Sequence, residues 1–278
     1  VLTVTDIAGL VKGAAEGKGL GNAFLSHIAA VDGLFHICRG FPGESVTHVE
    51  GNVNPVRDLE IIHRELQLKD IQNLRGYITK NARNVARNLG GKDAKAELMV
   101  AVKALNWLLH GDMTGSADEW AADIGDISKK ASSASGEEIA EEDNSRESLG
   151  LDIRAASWTG EEIESINKFQ LLTAKPMTYL INLSMKQYMS TKCKWLEPVA
   201  EFVKSRGCGE KLIPFSAAFE AKYDEMGDTP ERAEWLADAK MSKTMIPRMI
   251  RAGYKTLNLI HFFTCGPDEV RAWTVRAG

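Results

Sequence analysis

MTYLINL, residues 177–183, is a short run of mostly apolar, aromatic and β-branched residues. A run of this length, bounded by polar residues, predicts a strand that is buried on both faces of a sheet. Two further runs, GLFHIC at 33–38 and LIPF at 212–215, are of the same kind. Helical segments separate the runs, and this alternation predicts an α/β protein with a mostly parallel sheet.

Further elements are expected on either side of these runs. VLTVT, residues 1–5, alternates apolar residues with Thr and predicts a fourth strand that delivers Asp6 at the carboxyl end of the sheet. Residues 21–30 predict a short helix. Residues 256–263 and 269–275 predict two more strands, which follow a helix near the end of the chain.

A long helical insertion separates the second and third strands in chain order. Asn54 and Pro55 supply a helix N-cap and a first-turn proline. Apolar residues then recur at intervals of three and four, namely Leu59, Ile62, Leu66, Ile71, Leu74, Ile78, Ala82, Val85, Leu89, Leu98, Val102, Leu105 and Leu109. With a turn at GGKD, residues 90–93, this pattern predicts two antiparallel helices packed along a narrow seam. The polar, acidic residues 129–148 predict a disordered loop.

Charge is unevenly distributed along the chain, whose net charge is −4. Residues 64–103, the basic arm, hold nine Lys or Arg against four acids, and residues 112–164 hold four basic residues against fifteen acids. The basic arm has few aromatic residues, which suits contact with the phosphates of RNA better than base stacking. A solvated helix surface is the alternative interpretation.

The composition indicates a soluble protein of one to three domains, because 278 residues with 44% hydrophobic residues can bury at least one good core. No apolar run approaches the roughly 18 residues that span a bilayer, and the first residues do not have the pattern of a secretory signal. We therefore expect no membrane partner and a cytoplasmic location. The four cysteines form no CxxC pair and no metal-ligand spacing, so free structural thiols are expected at Cys38, Cys193, Cys208 and Cys265.

DIAG, residues 6–9, matches the DxxG pattern at the end of a predicted strand. In P-loop nucleotidases the Asp of this pattern holds Mg²⁺ and the Gly lets a backbone amide approach the terminal phosphate, which would assign these roles to Asp6 and Gly9. An ordinary strand-to-loop turn is the alternative. The glycines that follow do not form a Walker loop, because Gly17-Lys18-Gly19 lacks the upstream spacing and the hydroxyl residue.

Five stretches, taken together and in order, resemble the Obg-like ATPases of the YchF family: DIAGLVKGA, GLGNAFLSHI, THVEGNVNPVRDLEIIHRELQLKD, IPFSA and FFTCGPDEVRAWTVRAG. The similarity covers nearly the whole chain, apart from about residues 110–155, where the chain has an extended insertion. A similarity of this extent is more specific than any single motif.

The resemblance implies a P-loop nucleotidase-type fold with an inserted helical domain. Its parts would be a G domain over 1–55 and 166–253, a coiled-coil insertion with an acidic loop over 56–165, and the start of a β-grasp TGS domain over 254–278. It also implies that the phosphate loop lies upstream of Val1 and most of the TGS domain beyond Gly278. The chain by itself is then expected to bind nucleotide poorly and to turn over little or nothing.

A histidine of the family, in the loop FPGESVTHVEGNVNP, maps onto His48. Many nucleotidases place a Gln directly after DxxG to orient the attacking water, but Leu10 occupies that position here and cannot hydrogen-bond water. The resemblance therefore makes His48 the candidate that positions or polarises the water. An exposed loop histidine without a role is the alternative.

Recognition of the base is expected at INLSMKQ, residues 181–187. Guanine-specific relatives carry NKxD here, and the YchF family is similar but carries NxxE and uses ATP, whereas this chain has Met185 at the last position. Met185 offers no acceptor for guanine, so Asn182 and the Leu183 backbone are left to meet an adenine edge. The loop that closes over the base maps onto Ser216, Ala217 and Ala218. As an alternative, Asn182 merely caps the following helix.

Together these features predict an ATP-binding and ATP-hydrolysing regulatory protein that uses Mg²⁺ and associates with the ribosome or ribosomal RNA. A nonenzymatic pseudo-nucleotidase that binds RNA or ribosomes through the basic arm is the second hypothesis. A GTPase is the third, and Met185 disfavours it.

Overall fold

The computed structural model describes residues 2–7, 21–42, 51–87, 91–115, 149–238 and 244–277, together with 119, 122 and 124–126. The helices and strands, in chain order, are α1 Gly21–Ala29, β1 Leu34–Arg39, α2 Pro55–Ala86, α3 Gly91–His110, α4 Gly160–Phe169, β2 Met177–Asn182, α5 Met185–Ser190, α6 Leu196–Ser205, β3 Lys211–Phe215, α7 Ala217–Glu225, α8 Pro230–Asp238, α9 Ile246–Thr256, β4 Leu259–Cys265 and β5 Val270–Arg276. The chain divides into two compact units: a sheet unit, residues 1–7, 32–59 and 176–278, and a helical unit, residues 8–31 and 60–175.

The sheet unit is built on three parallel strands in the order β1-β2-β3. The central strand is β2, in which every residue from Met177 to Ile181 is buried. Both faces of such a strand are covered, which explains why its sequence is almost continuously apolar. The predicted parallel sheet is confirmed, with three of the four strands predicted for it.

Helix α9 packs on one face of the sheet. Ala252 of α9 shares a hydrophobic cluster with Leu180 of β2 and Ile213 of β3. The next residue, Gly253, has no side chain at a point where a Cβ atom would come within 2.9 Å of the Phe35 ring on β1. The glycine therefore allows the helix backbone to approach the sheet closely.

The strand predicted over residues 1–5 was wrong. Residues 2–7 have no secondary structure, although Leu2 lies against α9 near Gly253. A strand requires a backbone ladder with a neighbour as well as alternating side chains, and no described strand pairs with this segment. Of the alternating apolar residues Leu2 is partly buried, whereas Val4 is 69% exposed, so the pattern indicated neither a packed face nor a strand partner.

Strands β4 and β5 form a separate antiparallel pair, confirming the two strands predicted near the end of the chain. Their large apolar residues are exposed, including Phe262, Phe263 and Trp273. The pair is joined to the rest of the sheet unit through α9, where the rings of Tyr254 and His261 lie 4.6 Å apart.

The helical unit has its core between α2 and α3. The buried cluster contains Ile71, Leu74 and Ile78 of α2 together with most of the apolar residues of α3 from Leu98 to Leu109. The predicted start of α2 is confirmed, because the Asn54 side chain accepts a hydrogen bond from the Arg57 N–H at 3.3 Å and Pro55 is the first helical residue. Helix α3 begins at Gly91, so residues 91–93 of the turn predicted over 90–93 are helical, and residue 90 lies outside the described residues.

The contact of α2 is broader than the predicted narrow seam. Between residues 63 and 71 only Arg64 and Lys69 are not buried. A helix that is buried on nearly every side needs more than one neighbour. Residues 149–153 and 171–173 supply the additional cover, and they do so through polar contacts.

Asp70 of α2 is completely buried and bonded to residues 172 and 173, an arrangement we call the Asp70 clamp. Its carboxylate accepts hydrogen bonds from Leu172 N–H at 2.7 Å, Thr173 N–H at 2.8 Å and the Thr173 hydroxyl at 2.7 Å. Two turns earlier on α2, His63 Nδ1 lies 3.2 Å from Asp152 Oδ2, and both side chains are buried. The predicted helical pattern did not anticipate this polar face.

No described helix is both long and apolar enough to cross a membrane. The four cysteines are free, as predicted. Burial is the main cause that raises the pKa of Cys38 to about 12, which keeps this thiol protonated and unreactive at neutral pH. The domain boundaries predicted from the family resemblance remain predictions.

Candidate functional site

The candidate site lies at the carboxyl ends of β2 and β3, which reach the same edge of the sheet because the strands are parallel. Asn182 is the last residue of β2 and is in register with Phe215, the last residue of β3. Leu183 N–H donates to the Phe215 carbonyl at 2.8 Å and extends this pairing by one residue. In open α/β sheets, ligands bind at this edge.

The Asn182 side chain joins the two strand ends. Its Oδ1 accepts a hydrogen bond from the Ala217 N–H at 3.0 Å. Because a backbone N–H can only donate, the amide oxygen must be the atom that faces Ala217. The Asn182 NH₂ group is then directed elsewhere, and within the described residues it donates to no other group.

Ser216, Ala217 and Ala218 form the turn from β3 into α7. Ser216 is fully buried, and its hydroxyl accepts from Phe219 N–H at 3.4 Å as the N-cap of the helix. Ala217 and Ala218, in contrast, are exposed in the first turn of α7. The sequence-predicted residues Asn182, Leu183, Ser216, Ala217 and Ala218 therefore come together, with the serine in a structural role.

Ser184, not Asn182, caps the helix that follows β2. The Ser184 hydroxyl accepts from Gln187 N–H at 3.3 Å, and Gln187 Oε1 accepts from Ser184 N–H at 3.1 Å, which is a capping box. Gln187 also donates to the Gly40 carbonyl at 3.3 Å beyond the end of β1. The sequence analysis missed Gln187, although the S-x-x-Q spacing is a signal that could have found it.

The remaining predicted residues do not join this group. Asp6 is exposed in the segment without secondary structure, and in the described ranges it makes no hydrogen bond or ion pair. Gly9 and His48 lie outside the described residues.

The described residues contain no group of three or more His, Cys, Asp or Glu side chains that could hold a metal ion. Mg²⁺ in nucleotidases, however, needs only one or two protein oxygens, since water and phosphate supply its other ligands. An exposed carboxylate such as that of Asp6 has the oxygen donors that such an ion requires.

The exposed cations of the basic arm lie around the turn between α2 and α3. Lys80, Arg87, Lys92 and Lys95 are exposed. Lys103, farther along α3, is paired with Glu162 at 2.6 Å and is largely buried. Among the described side chains of the basic arm, the exposed positive charge is therefore concentrated in residues 80–95.

Comparison with known proteins finds Obg-like ATPase 1 of Rattus norvegicus and of Homo sapiens, each 43% identical over 278 residues. The alignments cover 100% of this chain and 60% of those relatives, so the chain spans about three fifths of their length. No family model matches the chain.

A solved structure, the YchF GTPase of Schizosaccharomyces pombe, matches with a TM-score of 0.66 and 34% identity over 93% of this chain and 58% of that chain. Its α/β fold agrees with the parallel sheet and the many helices described above. The names of the relatives differ in the nucleotide that they specify. The identity along the whole chain and the shared fold confirm the predicted resemblance: this chain is homologous to a part of the Obg-like ATPases of the YchF family.

Proposed function

We propose that this chain carries the base-binding edge and the helical arm of an ATP-binding and ATP-hydrolysing regulatory protein. The observation that supports it best is the Asn182–Ala217 hydrogen bond, which joins the ends of two parallel strands at the edge where α/β proteins bind ligands. The family resemblance points to the same residues from the sequence alone. A cytoplasmic setting, where ATP is abundant, is part of this proposal.

In the proposed reaction, Asp6 contributes a carboxylate ligand to Mg²⁺ and the Gly9 backbone approaches the terminal phosphate. The ion, when bound, neutralises charge that develops on the phosphate oxygens. His48 positions the attacking water, a task that Leu10 cannot perform because its side chain has no polar atom.

The basic arm is the proposed contact with the ribosome or ribosomal RNA. Its exposed cations at Lys80, Arg87, Lys92 and Lys95 are suited to phosphate groups, and aromatic residues for base stacking are scarce there. A nonenzymatic module that uses only this arm is the second candidate.

Calorimetric titration of ATP with magnesium tests the proposal, using the 278-residue chain and the full-length product of the same gene. Binding is expected for the full-length product, and poor binding for the 278-residue chain alone. Asn182→Ala in the full-length product should weaken binding, because the variant loses the amide that ties Ala217 to the strand end. Phosphate release by the full-length product, measured in parallel, separates the enzyme from a binding module. If ATP binds to neither protein, attention moves to the basic arm as the functional surface.

A further inference from the structure

Most polar groups at the carboxyl ends of β2 and β3 already have protein partners. Of the Leu183 backbone that was predicted to meet the base, the N–H already donates to the Phe215 carbonyl at 2.8 Å. The Ser184 hydroxyl lies 2.9 Å from Gln187 Oε1 and belongs to the capping box. Ser216 is buried beneath α7.

The Asn182 NH₂ group is a side-chain donor for which no partner is found among the described residues. The Ala217 N–H fixes the amide orientation at an oxygen-to-nitrogen distance of 3.0 Å. Asn182 is therefore presented as a hydrogen-bond donor, and it can bind an acceptor on a ligand without losing its contact with α7.

The described residues at the ends of β2 and β3 also lack a free carboxylate. Residues 182–190 and 215–219, all of which the structure describes, contain no Asp or Glu. The nearest acid in sequence, Glu220, is used elsewhere: one of its oxygens accepts from Met245 N–H at 2.8 Å, and the other accepts from the Thr244 hydroxyl. Met185, half-buried at the first position of α5, supplies only a weakly accepting thioether.

Adenine and guanine share the N7 acceptor but differ at C6, where adenine carries an amine donor and guanine a carbonyl acceptor. A donor such as the Asn182 amide can bind N7 of either base. A carboxylate would tell the bases apart, because it accepts from the C6 amine of adenine if it faces C6, and from the N1–H and C2 amine of guanine if it faces those groups. The described residues at the ends of β2 and β3 offer none. The geometry points to a base site that selects purines but does not discriminate adenine from guanine. This inference rests on the proposed nucleotide-binding function.

The test is calorimetric titration of the full-length product of the same gene with the magnesium complexes of ATP, GTP, CTP and 7-deaza-ATP. The dissociation constants of ATP and GTP are expected to lie within about threefold of each other, because neither base leaves a hydrogen-bonding group of the site without a partner. CTP, which lacks N7, and 7-deaza-ATP, in which N7 is replaced by carbon, are expected to bind about fivefold more weakly than ATP, as for one lost hydrogen bond. A preference for ATP or GTP above about tenfold overturns the inference and leaves the proposed function standing. Failure of every nucleotide to bind overturns the proposed function itself.

A substitution at Met185 sharpens the test. Met185→Glu restores the NxxE pattern that the family resemblance associates with ATP, and it should shift the ratio of ATP affinity to GTP affinity toward ATP by about tenfold. Met226→Glu is the matched control, because it makes the same exchange at the far end of α7, about 13 Å along a nine-residue helix. An unchanged ratio in Met185→Glu, or an equal shift in Met226→Glu, refutes the assignment of Met185 to the base edge.

Discussion

Replacing Asp70 with Ala removes the acceptor at the centre of the Asp70 clamp. The N–H groups of Leu172 and Thr173 then lose their partner where water does not reach, since these residues are 2% and 1% exposed. A buried unpaired donor costs about 1–3 kcal/mol, so two of them should lower the free energy of unfolding by about 2–6 kcal/mol. The Thr173 hydroxyl is left out of this sum because it can rotate toward another acceptor.

Urea unfolding at pH 6, followed by circular dichroism and tryptophan fluorescence, measures this loss. Glu60→Ala is the matched control: it removes an exposed carboxylate from the same helix and should change stability by less than about 0.5 kcal/mol. A loss below about 1 kcal/mol in Asp70→Ala, with an unchanged dependence on urea, would show that the clamp does not stabilise the helical unit.

The pH dependence of the free energy of unfolding gives a second test of the Asp70 carboxyl. Burial, with a smaller contribution from Asp152, raises the pKa of Asp70 to about 7, against the opposing effect of the hydrogen bonds from residues 172 and 173. A carboxyl whose pKa is higher in the folded state loses stability as pH rises from its unfolded pKa, about 4, to its folded pKa. The stability of the wild-type chain relative to Asp70→Asn should therefore fall between pH 4 and pH 7. A difference that is flat or grows over this range contradicts the expectation.

Three other predictions follow from residues described above. Gly150→Ala should destabilise the helical unit by about 3 kcal/mol or more in urea unfolding, because the new Cβ would collide with the Trp107 carbonyl, whereas Gly160→Ala meets open space and should be nearly neutral. His48→Ala in the full-length protein should lower the rate of ATP hydrolysis by about 100-fold or more at unchanged ATP affinity, and an unchanged rate would remove His48 from the mechanism. RNA binding should weaken steeply as salt is added, with a slope of log K against log salt concentration of about −3 for four phosphate contacts. Lys92→Glu should reduce both the affinity and the steepness of this slope. Binding that does not depend on salt would contradict the proposed RNA contact.

Strand β2 was predictable because it is buried and therefore apolar along its length. Strands β1 and β3 were predictable from short apolar runs, although each is buried at only one or two residues. The N-cap at Asn54 was predictable because capping chemistry is local. The Asp70 clamp was not predictable, because the carboxylate accepts hydrogen bonds from residues about 100 positions away in the sequence. A charged residue on a helix is ordinarily expected to face solvent. The strand predicted over residues 1–5 failed for a related reason, because pairing depends on a partner that a local pattern does not contain.

At the candidate site, the sequence located the strand-end residues but not their hydrogen bonds. Asn182 was weighed as a helix cap, a task that Ser184 performs instead. The Leu183 backbone was expected to face a base, yet its N–H donates a hydrogen bond to the Phe215 carbonyl. The register of β2 against β3 places Asn182 beside the start of α7, where its oxygen accepts from Ala217 N–H and its NH₂ group keeps its hydrogens for another partner.

The Asp70 clamp also bears on the order in which the chain folds. Strand β1 cannot pair with β2 until roughly 140 intervening residues have been closed into a loop. When the clamp ties residue 70 to residues 172 and 173, the part of that loop that remains free shrinks to about 35 residues, which lowers its closure entropy by about 1 kcal/mol. If the insertion folds first, it therefore brings the end of β1 and the start of β2 closer together along the free chain and makes their pairing less costly in entropy.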